Sequence, residues 1–368
     1  MKKLLVLLIL PFQLMAQENV RHEIRIPDIP GYQTLCCDFH IHTVFSDGQV
    51  WPDVRVEEAW IEGLDAIAIT DHIEYQPHKA DVSVDRNRST EIARNAVGNK
   101  DIIIIRGGEI TRKMPPGHSN ALFIKDVNML QQEEWRKAFE EAARQGAFFI
   151  WNHPGWKVQQ PDTVKWFPEH SEMLDKGWMQ AIEIVNDHDY YPQAFQWALQ
   201  KNLTILGNSD IHGPEFQYLD VKNGKHRPIN LVFVKEKSEE GILEALKEHR
   251  TVVWFHDSLF GKEEYLVPLV RESIQVEKAR TFRRDNTVTL SLKNLSDLDF
   301  ILSLKEKTDA SGIWTVPSKI SLKAGSSANI TLKWKDNKTD HQETVHVKYL
   351  IDNVLLAPGK NLEYIISF

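Results

Sequence analysis

The feature that most limits what this chain can fold into is a repeated pairing between residues 34 and 267. Short apolar runs alternate there with helix-patterned stretches, and most of the runs end beside histidine, aspartate or glutamate. Candidate strands fall at 35–41, 64–70, 102–106, 120–124, 147–151, 181–185 and 203–206. Helical patterns lie at 53–62, 131–145, 192–201 and 238–248. A switch between these two hydrophobic periods marks β/α architecture. Seven such strands predict a closed or nearly closed barrel rather than an open doubly wound sheet. No glycine-rich dinucleotide or phosphate loop follows the first strand.

The strand ends carry the chemistry. His40 and His42 close the first run, and residues two apart on an extended chain point the same way. Ser46-Asp47-Gly48 then returns a carboxylate toward the same end. The second run ends in Thr70-Asp71-His72 and the third in Gly107-Gly108-Glu109. His118 precedes the fourth run, His153 follows the fifth, and Asp210-Ile211-His212 follows the seventh. One strand-end histidine alone is more often a polar surface residue than a ligand. Here six of the seven predicted strands present such residues at or near one end, and the C-terminal rim of a β/α barrel is where active sites assemble. Metal binding accounts for the set. With 15 histidines and only two cysteines, the ligands are expected to be imidazole and carboxylate.

The grammar changes after residue 270. Stretches 287–292, 301–304, 330–334 and 345–349 alternate with period two, with turn formers at 309–312, 325–327 and 358–359. This pattern predicts an immunoglobulin-like β-sandwich over 271–368. That tail holds 15 basic and 12 acidic residues, so the formal net charge of −8 comes from the first part. Such acidity argues against general nucleic-acid binding. At the other end, Lys2 and Lys3 precede an apolar stretch over 4–11 and a small residue, Ala16. The expectation is a signal peptide over 1–16 and an arm over 17–33. The protein is then exported, periplasmic or secreted, with no membrane insertion after cleavage. Adjacent Cys36 and Cys37 would close only a strained ring, so both are expected as packed strand residues. Nothing in the sequence marks an oligomeric state.

The ordered set resembles the polymerase-and-histidinol-phosphatase (PHP) superfamily of metal-dependent phosphoesterases over residues 34–256. Its His-x-His and Ser-Asp-Gly motifs stand here as His40, His42 and Ser46-Asp47-Gly48, and its Thr-Asp-His as Thr70-Asp71-His72. Its lone glutamate stands as Glu109, its isolated histidines as His118 and His153, and its closing Asp-x-His as Asp210 and His212. All nine ligand positions of trinuclear members are filled, with Asp47 where some relatives have histidine. The resemblance implies a distorted seven-stranded (β/α) PHP-type barrel over 34–270, holding two or three divalent ions (zinc, manganese or iron). One ion would take His40, His42, Glu109 and Asp210. A second would share Glu109 with His118 and His153, and a third would take Asp47, His72 and His212.

Asp71 is read as a supporting carboxylate or a general acid, and His212 as a proton donor should the third ion be absent. Arg112 and Lys113 are candidates to hold a phosphate oxygen, with Arg86, Arg88, Lys157 and Arg227 behind them. Trp151, Trp156, Trp166, Trp178, Tyr190 and Tyr191 are candidates to wall a pocket, and His188 to lie on its rim. The expected activity is hydrolysis of small organic phosphodiesters by metal-activated hydroxide, since the domain arrangement looks similar to exported phosphodiesterases of the superfamily. A phosphomonoesterase of the histidinol-phosphatase type is the alternative. A non-catalytic metal-binding or surface-binding protein is the alternative from another class, and the nine filled positions speak against it.

Overall fold

A computed structural model describes residues 20–218, 225–282, 287–307, 314–334 and 346–367. The expected signal peptide and the turn at 309–312 lie outside them. The first part contains β1 (Gln33–Ile41), β2 (Ala66–Ile69), β3 (Ile103–Ile110), β4 (Ser119–Leu122), β5 (Phe148–Trp151) and β6 (Ala181–Asn186). It continues with β7 (Asp189–Tyr190), β8 (Thr204–Asn208), β9 (Ile229–Val234), β10 (Thr251–Phe255) and β11 (Ser258–Gly261). Eight helices accompany them: α1 (Pro52–Glu62), α2 (Arg88–Ala96), α3 (Trp135–Arg144), α4 (Pro168–Asp175), α5 (Pro192–Gln200), α6 (Glu215–Tyr218), α7 (Glu239–Lys247) and α8 (Glu263–Ser273).

All seven expected strands are present, as β1 to β6 and β8. The seven-strand count itself is corrected. β9 and β10 extend the same sheet, which runs β7-β6-β5-β4-β3-β2-β1-β9-β10-β11 with β8 on β6. It is also mixed: β4 lies antiparallel to β3 and β5, and β9 antiparallel to β1. Because β4 runs against its neighbours, its N-terminal end, with His118, falls on the rim formed by the C-terminal ends of the others. The sheet curls back on itself there. Ile211, just after β8, bridges Ile41, and the Asp210 amide donates to the His40 carbonyl at 2.9 Å.

Alternating residues fill the interior: Leu35, Cys37 and Phe39 of β1 meet Ala66, Ala68, Ile105, Phe148, Ile150, Leu206 and Val232. Both cysteines are buried and unbridged. The helices cover the outer face for local reasons. In α1, Pro52 starts the first turn where its missing N–H costs nothing, and Val56 and Ala59 face inward. In α7, the Ser238 hydroxyl caps the Gly241 amide at 3.0 Å.

The tail forms β12 (Ile274–Phe282), β13 (Thr287–Asn294), β14 (Phe300–Lys307), β15 (Trp314–Thr315), β16 (Lys319–Leu322), β17 (Ser327–Trp334), β18 (His346–Ala357) and β19 (Lys360–Ser367). One sheet runs β12-β13-β17-β15 and the other β16-β14-β18, with β19 on β18. The second sheet is continuous with the first part, because β11 pairs in parallel with β18 at Leu259–Val354 and Phe260–Leu355. One apolar cluster accordingly runs from Val56 and Ala59 through Leu266 to Phe300 and Ile351.

Candidate metal centre

The end of β1 sets the site. A register shift against β2 between Asp38 and Ile41 changes the face that the chain presents. Phe39 packs into the interior, whereas Ile41 joins the outer cluster. His40 and His42 then converge, with their Nε2 atoms 3.0 Å apart. Beyond them, Asp71 accepts from the Thr43 amide at 2.7 Å and from the Ser46 hydroxyl at 2.8 Å. That turn swings Asp47 back over His72 and His212, 3.4 and 3.1 Å from their Nε2 atoms. Gly48 permits it, since a Cβ there would lie 2.6 Å from the Thr43 nitrogen. Arg55 of α1, wholly buried, donates to the carbonyls of His42 at 2.9 Å and His212 at 2.7 Å. One guanidinium thus ties together two segments that carry candidate ligands.

Potential ligand atoms of all nine residues gather into four overlapping groups, each with its atoms within 4.8 Å of one another. They are His40–His42–Asp210, His40–Glu109–His153, His72–Glu109–His118 and His42–Asp47–His72–His212. The grouping differs from the expected three sets. Glu109 joins His72 as well as His118, His40 is shared with His153, and His42 reaches toward Asp47. The chain departs from relaxed geometry at two of these residues, for His153 and Asp210 have φ of 28° and 52°. Strained backbone of this kind concentrates at functional sites.

Charge is divided unevenly across the cluster. Burial opposes the charged form of His40, yet Asp210, Glu183 and Glu109 outweigh it and raise His40 to about 10. Burial, with His212 and His72 beside it, pushes His42 down to about 3. Glu109 and Asp210, although buried, are held well below the usual carboxylate range by the surrounding histidines. The donor set fits divalent metal. Glu109 Oε2 and Asp47 Oδ1 are buried beside imidazoles without a well-formed hydrogen bond, and the Nε2 atoms of His40 and His42 converge 3.0 Å apart on Asp210 Oδ1, at 3.1 and 3.0 Å from it. Buried polar atoms left in this state are normally satisfied by something else.

The chain is 44% identical to a two-domain protein of Bacteroides vulgatus containing a predicted PHP-like metal-dependent phosphoesterase, with a TM-score of 0.90. The match covers 95% of this chain and 99% of that one. This chain belongs to the PHP-like metal-dependent phosphoesterases. It is also 41% identical over 191 residues to an uncharacterized protein of Methanocaldococcus jannaschii, covering 48% of this chain and 82% of that protein. Residues 274–367 match a family described as an Ig-like domain.

Within this PHP-like centre, the remaining candidates separate clearly. Asp71 spends both oxygens on Thr43 and Ser46, so it supports the turn and is not placed as a general acid. Arg112 is engaged away from the cluster: it pairs with Glu74 at 2.8 Å and donates to the carbonyls of Gln132 and Glu133. Its neighbour Lys113 does line a cavity beside the cluster. Arg86 donates to the Ile73 carbonyl, Arg88 pairs with Glu91, and Arg227 is buried between Asp38 and Glu62. Lys157 is exposed. His212, Trp156, Tyr191 and His188 line a cavity of about 610 Å³ over the cluster. Trp151 is core, packed on His170 at 3.8 Å, and Tyr190 packs on Phe260. Trp166 and Trp178 likewise belong to the apolar packing.

Three supporting residues escaped the sequence reading. Glu183 accepts from His40 Nδ1 at 2.8 Å and from the His153 amide at 2.6 Å. Asp38 accepts from the Ser209 hydroxyl at 2.5 Å and holds Arg227. Arg55 is the third. The signal for Glu183 was a single acidic residue inside the apolar run 181–185.

Proposed function

We propose that this chain is an exported metal-dependent phosphodiesterase acting on small organic phosphodiesters. The observation that carries the reading is the convergence of nine ligand-type side chains into four overlapping groups at one rim, where two adjoining cavities meet. His40, His42, Asp47, His72, Glu109, His118, His153, Asp210 and His212 would hold the ions. When bound, divalent ions supply Lewis acidity at the phosphoryl group and bring the pKa of water toward neutrality.

The protein's own part is positional. Glu183 fixes the His40 ring so that Nε2 faces the cluster, and Glu109 stands where two groups meet. His212 donates from Nδ1 to the Asp210 carbonyl at 2.6 Å. Its Nε2 then faces Asp47 Oδ1 at 3.1 Å and would hold an ion there; should that third ion be absent, the same nitrogen could return a proton to the departing alkoxide. Trp156 lies against His118 and His153 and shields them from water.

The test is assay of metal-loaded protein on bis(p-nitrophenyl) phosphate and p-nitrophenyl phosphate. The diester is expected to be the better substrate, with His40→Ala and Asp210→Ala each losing more than about 100-fold, beyond the effect of losing a supporting partner. Faster turnover of the monoester would favour a phosphatase. Inactivity of metal-loaded protein on both would favour a binding role. Export rests on the basic and apolar start of the sequence, and recovery of the cleaved chain outside the cytoplasm checks it.

A further inference from the structure

Two cavities meet at the metal centre; both have apolar walls, Tyr191, Pro228 and Phe255 in the first and Tyr75, Met114 and Val158 in the second, but the first carries more hydrogen-bonding side chains. They share Asp47, His72, His118 and Trp156. The first, of about 610 Å³, extends away from the cluster past Asp187, His188, Asp189, Lys225, His226 and His256. It offers donors and acceptors side by side. Its cations carry no surplus charge, because Arg227 is taken by Asp38 and Glu62, and Asp187 and Asp189 lie in the same wall as Lys225. A mixed lining of this kind suits hydroxyl groups, which both donate and accept, better than a second anion.

The other cavity, of about 550 Å³, extends past Tyr75, Met114 and Val158, with Lys113 among its lining residues. Tyr75, Trp156 and Val158 are 52%, 38% and 74% exposed. Large apolar side chains left in water together, beside a reactive centre, mark a surface that is covered in use. Tyr75 stands against His72, and Trp156 against His118, so a group seated there touches the cluster directly.

We infer that the substrate is an asymmetric phosphodiester, with a polyhydroxylated substituent in the first cavity and an apolar one in the second. The inference rests on reading the centre as a phosphodiesterase. A phosphate held at the shared residues sends one ester arm to each side. A symmetric diester would leave one arm mismatched, with an apolar group against the hydrogen-bonding wall or a polyol against Tyr75 and Val158.

The experiment uses metal-loaded full-length protein and p-nitrophenyl phosphodiesters whose second substituent is glyceryl, methyl or phenyl, alongside p-nitrophenyl phosphate. The nitrophenyl leaving group stays constant in the apolar second cavity, so only the contact in the first cavity changes. The glyceryl ester is expected to exceed the methyl and phenyl esters in kcat/KM by about tenfold. Lys225→Ala and His256→Ala are expected to bring the glyceryl-to-methyl ratio toward one. Tyr75→Ala combined with Val158→Ser is expected to raise KM for the glyceryl ester severalfold while kcat stays within about twofold, as for lost uniform binding. A flat series in the wild type, or equal effects of Lys225→Ala on every ester, would overturn the two-sided assignment and leave the phosphodiesterase reading standing. A monoester turned over faster than every diester would remove that reading, and this inference with it.

Discussion

Glu183 sits in the middle of β6 with no exposed surface, and it holds one ring and one backbone amide of the cluster at once. Replacing it with glutamine keeps the shape and removes the charge that orients His40 Nδ1–H. Glu183→Gln is expected to weaken metal binding by about 10- to 100-fold with little change in fold, as a competitive chelator titration would show. Unchanged affinity would mean that packing alone positions His40. A second residue gives a pH test. Burial, and then the facing Glu62 carboxylate, push Glu215 up to about 9 against the pull of Arg227. An unfolded glutamate titrates near ~4.3, so the native protein holds the extra proton between the two values. Stability from this group is complete below pH ~4.3 and is lost as pH rises through about 9. Glu215→Gln is expected to flatten that loss in thermal melts from pH 5 to 9, and parallel curves for the two proteins would contradict the assignment. The nine candidate ligands were legible because few residue types bind metal and all but Asp47, in the turn after β1, stand at or near strand ends. Glu183, Asp38 and Arg55 were not, because a charged residue in an apolar run shows its purpose only when its partners, up to 189 residues away for Asp38, fold against it.

At the scale of elements, the sequence showed most clearly the strands that stand within a run of metal-binding types. β9 and β10 are wholly buried, largely apolar runs, and although His256 follows β10, a short apolar run alone does not declare its direction or neighbours. Their pairing has a consequence for the cavity. The turn between β10 and β11 carries His256 at φ 50°, and the Asn353 amide of β18 donates to the adjacent Asp257 carbonyl and to Asp299 at 2.7 Å. The sandwich therefore braces a wall of the cavity. Asn353→Ala leaves these carbonyls without their donor and is expected to cost about 2 kcal/mol, measured by denaturant unfolding. It is also expected to raise KM more than it lowers kcat. Loss of kcat alone would place the bracing elsewhere.

Across the whole molecule, the two halves expected from the change in patterning are joined more closely than the sequence suggested. The β11–β18 pairing and a shared apolar cluster make one continuous body of sheet. Strand pairing between distant segments depends on register and edge exposure, neither of which a local pattern contains. The site was legible in its residue types and order, but the sharing of Glu109, His40, His42 and His72 among groups was visible only in three dimensions. That sharing would let the centre hold more than one ion, which is the proposal on which the rest depends. Metal content of the purified full-length chain, measured by mass spectrometry after removal of loosely bound ions, tests it directly. The predicted result is two or three divalent ions per chain, falling by at least one in Asp210→Ala. One ion or fewer in correctly folded protein supplied with zinc, manganese and iron would contradict it.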